Sequence, residues 1–120
     1  MAAPNIVQSA SSTFHHMLCV SAVLSGSSVG AAASVEQSFT INGLQGADAL
    51  EPADQIMIIT KATYQTGLAL GAARVTAANT VAVTFINPTA APIVPTASDV
   101  YTLVVFRPNQ MLTNVIGTAI

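Results

Sequence analysis

Apolar and polar residues alternate with a period of two in several stretches of the chain. In residues 35–41, positions 35, 39 and 41 are apolar and positions 36, 38 and 40 are polar. Val81, Val83 and Phe85 form a second apolar row of the same spacing. Successive side chains of a β-strand point to opposite faces, so this pattern predicts strands with one face in a core.

Two further stretches predict strands. Residues 55–64 begin with an apolar run and end in alternation. Residues 100–106 are rich in β-branched and aromatic residues, and Pro108 closes this run. The clearest hairpin spans residues 70–87, where two strand-like runs flank a short turn. Asn79 lies in that turn and tolerates the left-handed conformation that such turns use. Further turn residues cluster at positions 25–30, 42–46 and 87–98.

Residues 14–24 fit two interpretations. As a strand, the alternate residues from Phe14 to Leu24 line one face; as a helix, the segment is capped by Ser12. The surrounding segments are rich in strand formers, and Gly26 closes the stretch. We therefore favour the strand and keep the helix as the alternative.

Regularly spaced short strands with few helix signals predict an all-β fold: a single antiparallel, jelly-roll-like β-sandwich of about seven or eight strands. We expect an extended N-terminal arm over residues 1–12, the sandwich domain over 13–108 and a C-terminal tail over 109–120. Tyr64 sits in a strand pattern and is expected to pack in the core. The other predicted core residues are Phe39, Ile41, Ile58, Val83, Phe85, Tyr101, Leu103 and Val105.

Charged residues are scarce: Asp, Glu, Lys and Arg make up 7% of the 120 residues, against about 25% in ordinary globular chains. Hydrophobic residues make up 52%. A lone soluble domain relies on charge to stay dispersed, so we expect neighbours to cover much of this surface. The apolar runs are shorter than the roughly 18 residues of a membrane helix, and three scattered cations form no basic patch for nucleic acid. We expect neither a membrane nor a nucleic acid as partner.

Few residues suggest chemistry. His15 and His16 are adjacent, so in a strand they point to opposite faces and are badly placed to chelate one metal. Asp48, Glu51 and Asp54 are spaced by three and would share one face of a helical turn, an arrangement of carboxylates that calcium favours. The spacing of a calcium-binding EF-hand loop is absent, and we expect these carboxylates in a solvated loop.

Three other features also favour structural roles. Cys19 is the only cysteine, so an internal disulfide is excluded, and we expect it to be a small buried apolar residue. Residues 25–28 lack the Gly-x-Ser-x-Gly pattern of a nucleophile elbow. Gly67 and Gly71 are not followed by the Lys-Ser/Thr of a phosphate loop, and we expect them to permit a close backbone approach or a bulge. We predict no catalytic residue, metal site or cofactor, and a protein that is not an enzyme.

The order of three motifs resembles a β-module of small virion proteins from tailed bacteriophages. That pattern has a Gln-x-Phe-Thr strand ending in Gly-Leu, then Arg-Val-Thr-Ala-Ala-Asn-Thr leading into a Phe-x-Asn strand, then Pro-Thr-Ala and a Tyr-containing strand. The matching segments in this chain are residues 36–44, 74–90 and 95–107. Residues 1–34 and those after Pro108 lie outside the resemblance.

The resemblance implies a virion structural protein, most simply a capsid decoration or cement protein on the capsid surface. Cement proteins clamp neighbouring capsomers against the pressure of the packaged genome. The expected partners are the major capsid protein and copies of the chain itself. A tail or head-to-tail connector component is the alternative, and a ligand-binding module or virion enzyme is the contrasting class. Copy number per particle separates the cement protein from the tail component.

Both ends of the chain suggest how contacts are made. Residues 2–8 are uncharged and contain Pro4, and residues 111–116 have a similar character. An extended arm of this kind can add a strand to the sheet edge of a neighbour through main-chain hydrogen bonds. Frayed ends are the alternative, since termini commonly fray.

Overall fold

The computed structural model describes residues 14–108. This part of the chain holds six β-strands and one 3-10 turn at Gly46–Asp48 between the second and third strands. The predicted arm and tail, residues 1–12 and 109–120, lie outside the described residues. The strands are β1 (Phe14–Leu24), β2 (Ala33–Thr40), β3 (Gln55–Lys61), β4 (Ala69–Ala77), β5 (Thr80–Asn87) and β6 (Asp99–Pro108).

The strands form two three-stranded antiparallel sheets, one in the order β1-β6-β3 and the other in the order β2-β5-β4. The prediction of an all-β antiparallel sandwich is confirmed. The first strand pairs with the last and the second with the fifth, which is a jelly-roll-like winding. Six strands lie within residues 14–108, fewer than the number expected. The proline-rich connection after β5 adds only one bridge, between Val29 and Ile93.

Residues 14–24 form strand β1, and the helical alternative is wrong. The strand pairs with β6 from Phe14 opposite Pro108 to Leu24 opposite Asp99. Val20 and Leu24 are buried, while the residues on either side of Val20 are more exposed. The alternation read from the sequence therefore predicts the inward face of β1 correctly.

The predicted hairpin is confirmed as β4 and β5. Asn79 takes the left-handed conformation in its turn, with φ of +52°. Its side chain also holds the loop between β2 and β3: Oδ1 accepts a hydrogen bond from the Leu50 N–H at 2.8 Å, and Nδ2 donates to the Leu44 carbonyl at 3.1 Å. One residue thus stabilises the turn and joins it to a loop that is distant in sequence.

The core lies between the two sheets and centres on three aromatic rings. Phe39, Phe85 and Tyr101 have ring centroids 6.4–6.5 Å apart, and Phe85 meets each of the other two edge-on. Such aromatic pairs contribute about 0.5–1.5 kcal/mol each beyond the area they bury. Phe39 is partly buried and packs against the core. The predicted core residues that are buried are Ile41, Val83, Phe85, Tyr101, Leu103 and Val105.

Ile58 was predicted to lie in the core, and this prediction is wrong. Its side chain is 53% exposed. The pairing of β3 with β6 shifts between Ile56 and Ile58, so that Ile56 lies opposite Val105 but Ile58 lies opposite Val104. A β-bulge inserts one extra residue and reverses which side chains face inward. Ile58 therefore projects from the outer face of its sheet.

Candidate interaction surface

The sheet β1-β6-β3 projects a second set of side chains away from the core, and we call this outer surface the apolar face. Along β6, Tyr101, Leu103 and Val105 are buried, so the residues between them point outward. The register of β1 and β3 against β6 places further side chains beside them. The apolar face consists of Met17, Cys19, Ser21, Val23, Gln55, Met57, Ile58, Thr60, Val100, Thr102, Val104 and Phe106.

These side chains form rows across the three strands. One row is Cys19, Val104 and Ile58, and the next is the hydroxyl row of Ser21, Thr102 and Thr60. The outer rows are mainly apolar. More than half of the side chain is exposed in Met17, Val23, Met57 and Ile58. Antiparallel sheets with one solvated face normally alternate apolar and polar residues, whereas the outer face of this sheet is uncharged and mainly apolar, with one row of hydroxyl groups.

The outer face of the other sheet is different. Glu36 on β2 and Arg74 on β4 form a two-pronged ion pair across β5, with hydrogen bonds of 2.8 and 2.9 Å. Ala82, the β5 residue opposite Arg74 and Ser38, is fully buried. Hydrogen bonding from Arg74 lowers the pKa of Glu36. This sheet has the charged and hydroxyl-rich surface that is typical of a solvated face.

A second ion pair lies where β3 and β6 meet. The Lys61 Nζ is 2.9 Å from an Asp99 carboxylate oxygen, and the two side chains are only 7% and 6% exposed. The N–H and hydroxyl of Thr63 also donate to Asp99, each at 3.1 Å. The hydrogen bond from Lys61 is the main cause of a lowered pKa at Asp99; burial opposes it and the Thr63 bonds add to it. Both charges are neutralised within the protein.

The three carboxylates of the acidic cluster lie in different environments. Asp54 is 2% exposed and accepts hydrogen bonds from Arg107 at 2.6 and 3.0 Å. Arg107 also donates to the Ala49 carbonyl at 2.8 Å, and its hydrogen bond to Asp54 is the main cause of its raised pKa. The expectation of a solvated loop holds for Asp48 and Glu51 but is wrong for Asp54. Within residues 14–108, no group of three His, Cys, Asp or Glu residues is placed to hold a metal ion.

The positions of all the charged residues are described by the structure. All eight lie within residues 14–108, and each of the three cations is in an ion pair with a carboxylate. None of the chain's Asp, Glu, Lys or Arg residues belongs to the apolar face. The few charged residues thus lie elsewhere in the molecule, and the outer face of the β1-β6-β3 sheet is uncharged.

Two residues expected in the interior are exposed. Cys19 is exposed because the odd-numbered residues of β1 point away from the core. Tyr64 is 82% exposed because β3 ends at Lys61 and the tyrosine lies in the loop that follows. The side chains of His15 and His16 lie outside the described residues.

The two glycines have the structural role expected of them. A Cβ at Gly71 would lie 3.3 Å from the Ile86 Cδ1, and one at Gly67 would lie 2.6 Å from the Thr89 Cγ2. The pairing of β4 with β5 also shifts between Leu70 and Ala73, which brackets Gly71. Close approach and a bulge are therefore both confirmed.

Comparison with protein-family models, with curated proteins and with solved structures finds no match for this chain. Among the described residues, no helix has the length and apolar character needed to cross a membrane.

Proposed function

We propose that the chain is a structural subunit of a larger assembly, in which neighbouring subunits cover the apolar face. The observation that carries this proposal is the uncharged outer surface of the β1-β6-β3 sheet, with Met17, Val23 and Ile58 more than half exposed. Large contiguous apolar patches are rare on proteins that work alone and mark sites of interaction. Covering this face would remove apolar surface from water, worth about 25 cal/mol per Å².

The form of assembly that we propose is a phage virion, with the chain as a capsid decoration protein on the capsid surface. This part of the proposal is supported by the sequence resemblance. Its segments, residues 36–44, 74–90 and 95–107, include most of β2, the last four residues of β4, all of β5 and nearly all of β6. The edge strands β1 and β3, which carry the four large apolar residues of the apolar face that are more than half exposed, lie outside those segments. We propose that they provide the contacts that are particular to this protein.

The charged residues have structural roles in the proposed subunit. Asp54, Asp99 and Glu36 each accept hydrogen bonds from a cation, and these pairs connect strands and loops of the fold. In a decoration protein the major capsid protein and copies of the chain itself are the partners. Each copy needs only a modest interface energy, because the symmetry of a capsid repeats the same contact many times.

Quantitative gel densitometry of purified virions, from the phage whose genome encodes the chain, tests the proposal. A decoration protein is expected at on the order of hundreds of copies per particle. A count of a few dozen copies or fewer would indicate a role in the tail or the head-to-tail connector instead of capsid decoration. Absence from virions that contain their full set of capsid proteins would contradict a virion role altogether.

A further inference from the structure

The backbone restricts what can cover the apolar face. The strands of this sheet direct side chains, not N–H and C=O groups, toward an occupant of the face. An extended segment lying there would leave its own backbone groups unpaired in a dry contact, which costs free energy. A second sheet has already paired its backbone, and sheets pack face to face about 10 Å apart.

The absence of charge on the apolar face also restricts which partner can cover it. A charged partner surface would have to desolvate its ions against a face that offers them no counter-charge. The apolar face of a second copy has the same residues and is therefore uncharged. If two copies stack along β6 about a two-fold axis, apolar rows meet apolar rows. The row of Ser21, Thr102 and Thr60 then meets itself, and hydroxyl groups both donate and accept hydrogen bonds.

We propose that the apolar face packs against the apolar face of a second copy, which gives a two-fold dimer of stacked sheets. This inference rests on the proposed function, because it names the first neighbour that covers the face. The contact is isologous: each copy contributes the same residues. Val104 lies near its centre because β6 is the middle strand of the sheet.

The size of the face predicts a reversible dimer. Three strands about 4.8 Å apart and eight residues at about 3.4 Å each cover roughly 14 by 27 Å, or about 380 Å² per copy in flat projection. Both copies together bury about 800 Å² by this measure, and somewhat more with side-chain relief. That area falls in the range of transient complexes, below about 1,200 Å². We expect a dissociation constant in the micromolar range, about 1–100 μM.

Sedimentation velocity on the isolated chain, across about 1–500 μM, tests the dimer. The wild-type mass is expected to rise from the chain mass of 12.2 kDa toward twice that value. Ile58→Lys places a charge on the apolar face and is expected to weaken association by about 100-fold or more. Ile86→Lys is the matched control, because Ile86 is exposed on the outer face of the other sheet; its association is expected to equal wild type.

The exposed Cys19 provides a second measurement on the unmodified protein. Its alkylation rate is expected to fall as the chain concentration rises, with the same midpoint as the mass. A monomer throughout the range, an alkylation rate that stays constant, or equal effects of the two lysine variants would overturn the proposed dimer. These measurements need no other virion protein. A monomeric result would therefore refute the dimer without testing the virion role, which the densitometry tests. Absence of the chain from virions would refute the virion role without refuting the dimer.

Discussion

The hydroxyl of Tyr101 permits a sharp test of how the core is built. The residue is fully buried between Phe39 and Phe85, and within residues 14–108 its hydroxyl has no hydrogen-bond partner. Burial raises the pKa of this phenol, and the negative charge of Asp99 raises it further. The ring stabilises the fold, whereas the hydroxyl has been taken out of water and the described residues give it no replacement partner.

Tyr101→Phe removes the hydroxyl and keeps the ring. A buried polar group without a partner costs about 1–3 kcal/mol, and the small void left by one oxygen offsets part of the gain. We therefore expect the free energy of unfolding to rise by about 0–2 kcal/mol. Phe85→Ala is the contrasting variant: it removes a whole ring from a fully buried site and is expected to cost about 3–5 kcal/mol.

Urea unfolding followed by circular dichroism measures both variants against wild type. The lowest workable concentration is used, so that self-association does not add to the apparent stability. A loss of more than about 1 kcal/mol in Tyr101→Phe would show that the hydroxyl has a good partner and would refute this account of the core. A loss below about 1 kcal/mol in Phe85→Ala would show that the inward face of β5 is wrong.

Three further predictions concern backbone strain, pH and the N-terminus. Gly43 and Gly67 both have positive φ, of +93° and +85°, but only Gly67 would place a Cβ against Thr89. In urea unfolding, Gly43→Ala should lower the free energy of unfolding by about 1–2 kcal/mol, and Gly67→Ala should lower it by about 1–3 kcal/mol more than Gly43→Ala does. Equal losses in the two variants would disprove the contact with Thr89. In the folded state the pKa of Asp99 is lowered from its ordinary value of 3.8. The ionised carboxylate therefore contributes to stability above pH 3.8, and this contribution is lost as the pH falls through the lower pKa of the folded state. An acid titration of unfolding free energy should therefore be flatter in Asp99→Asn than in wild type, and parallel curves would refute this. Deleting residues 2–8 should leave the sandwich folded but weaken particle decoration if the arm adds a strand to a neighbour; decoration of unchanged strength and salt dependence would end the arm hypothesis.

The strand faces could be predicted where the sequence alternates. Val81, Val83 and Phe85 face the core as their spacing indicates. Ile58 could not be placed, because the continuous apolar run around it has no period of two that would locate a bulge. Asp54 was misjudged because its partner Arg107 lies 53 residues away in sequence, a separation that local spacing does not reveal.

The apolar face was foreseen only in general terms. The low charge content predicts a covered surface but does not say which one. Strand β6 is apolar or hydroxyl-bearing on both faces from Val100 to Phe106, so its sequence does not distinguish the core side from the outer side. The pairing of β1 and β3 with β6 decides it, and pairing depends on long-range contacts. Cys19 and Ile58 meet beside Val104 only in the folded sheet.

The central claim is that the apolar face carries assembly, and incorporation into the proposed virion measures this directly. Particles would be produced with the Ile58→Lys chain or the Ile86→Lys chain as the only source of this protein, and the copies per particle counted by densitometry. The account predicts that the Ile86→Lys chain is incorporated at the wild-type level and that the Ile58→Lys chain is strongly depleted, although both fold. Equal incorporation of the two folded variants would contradict it.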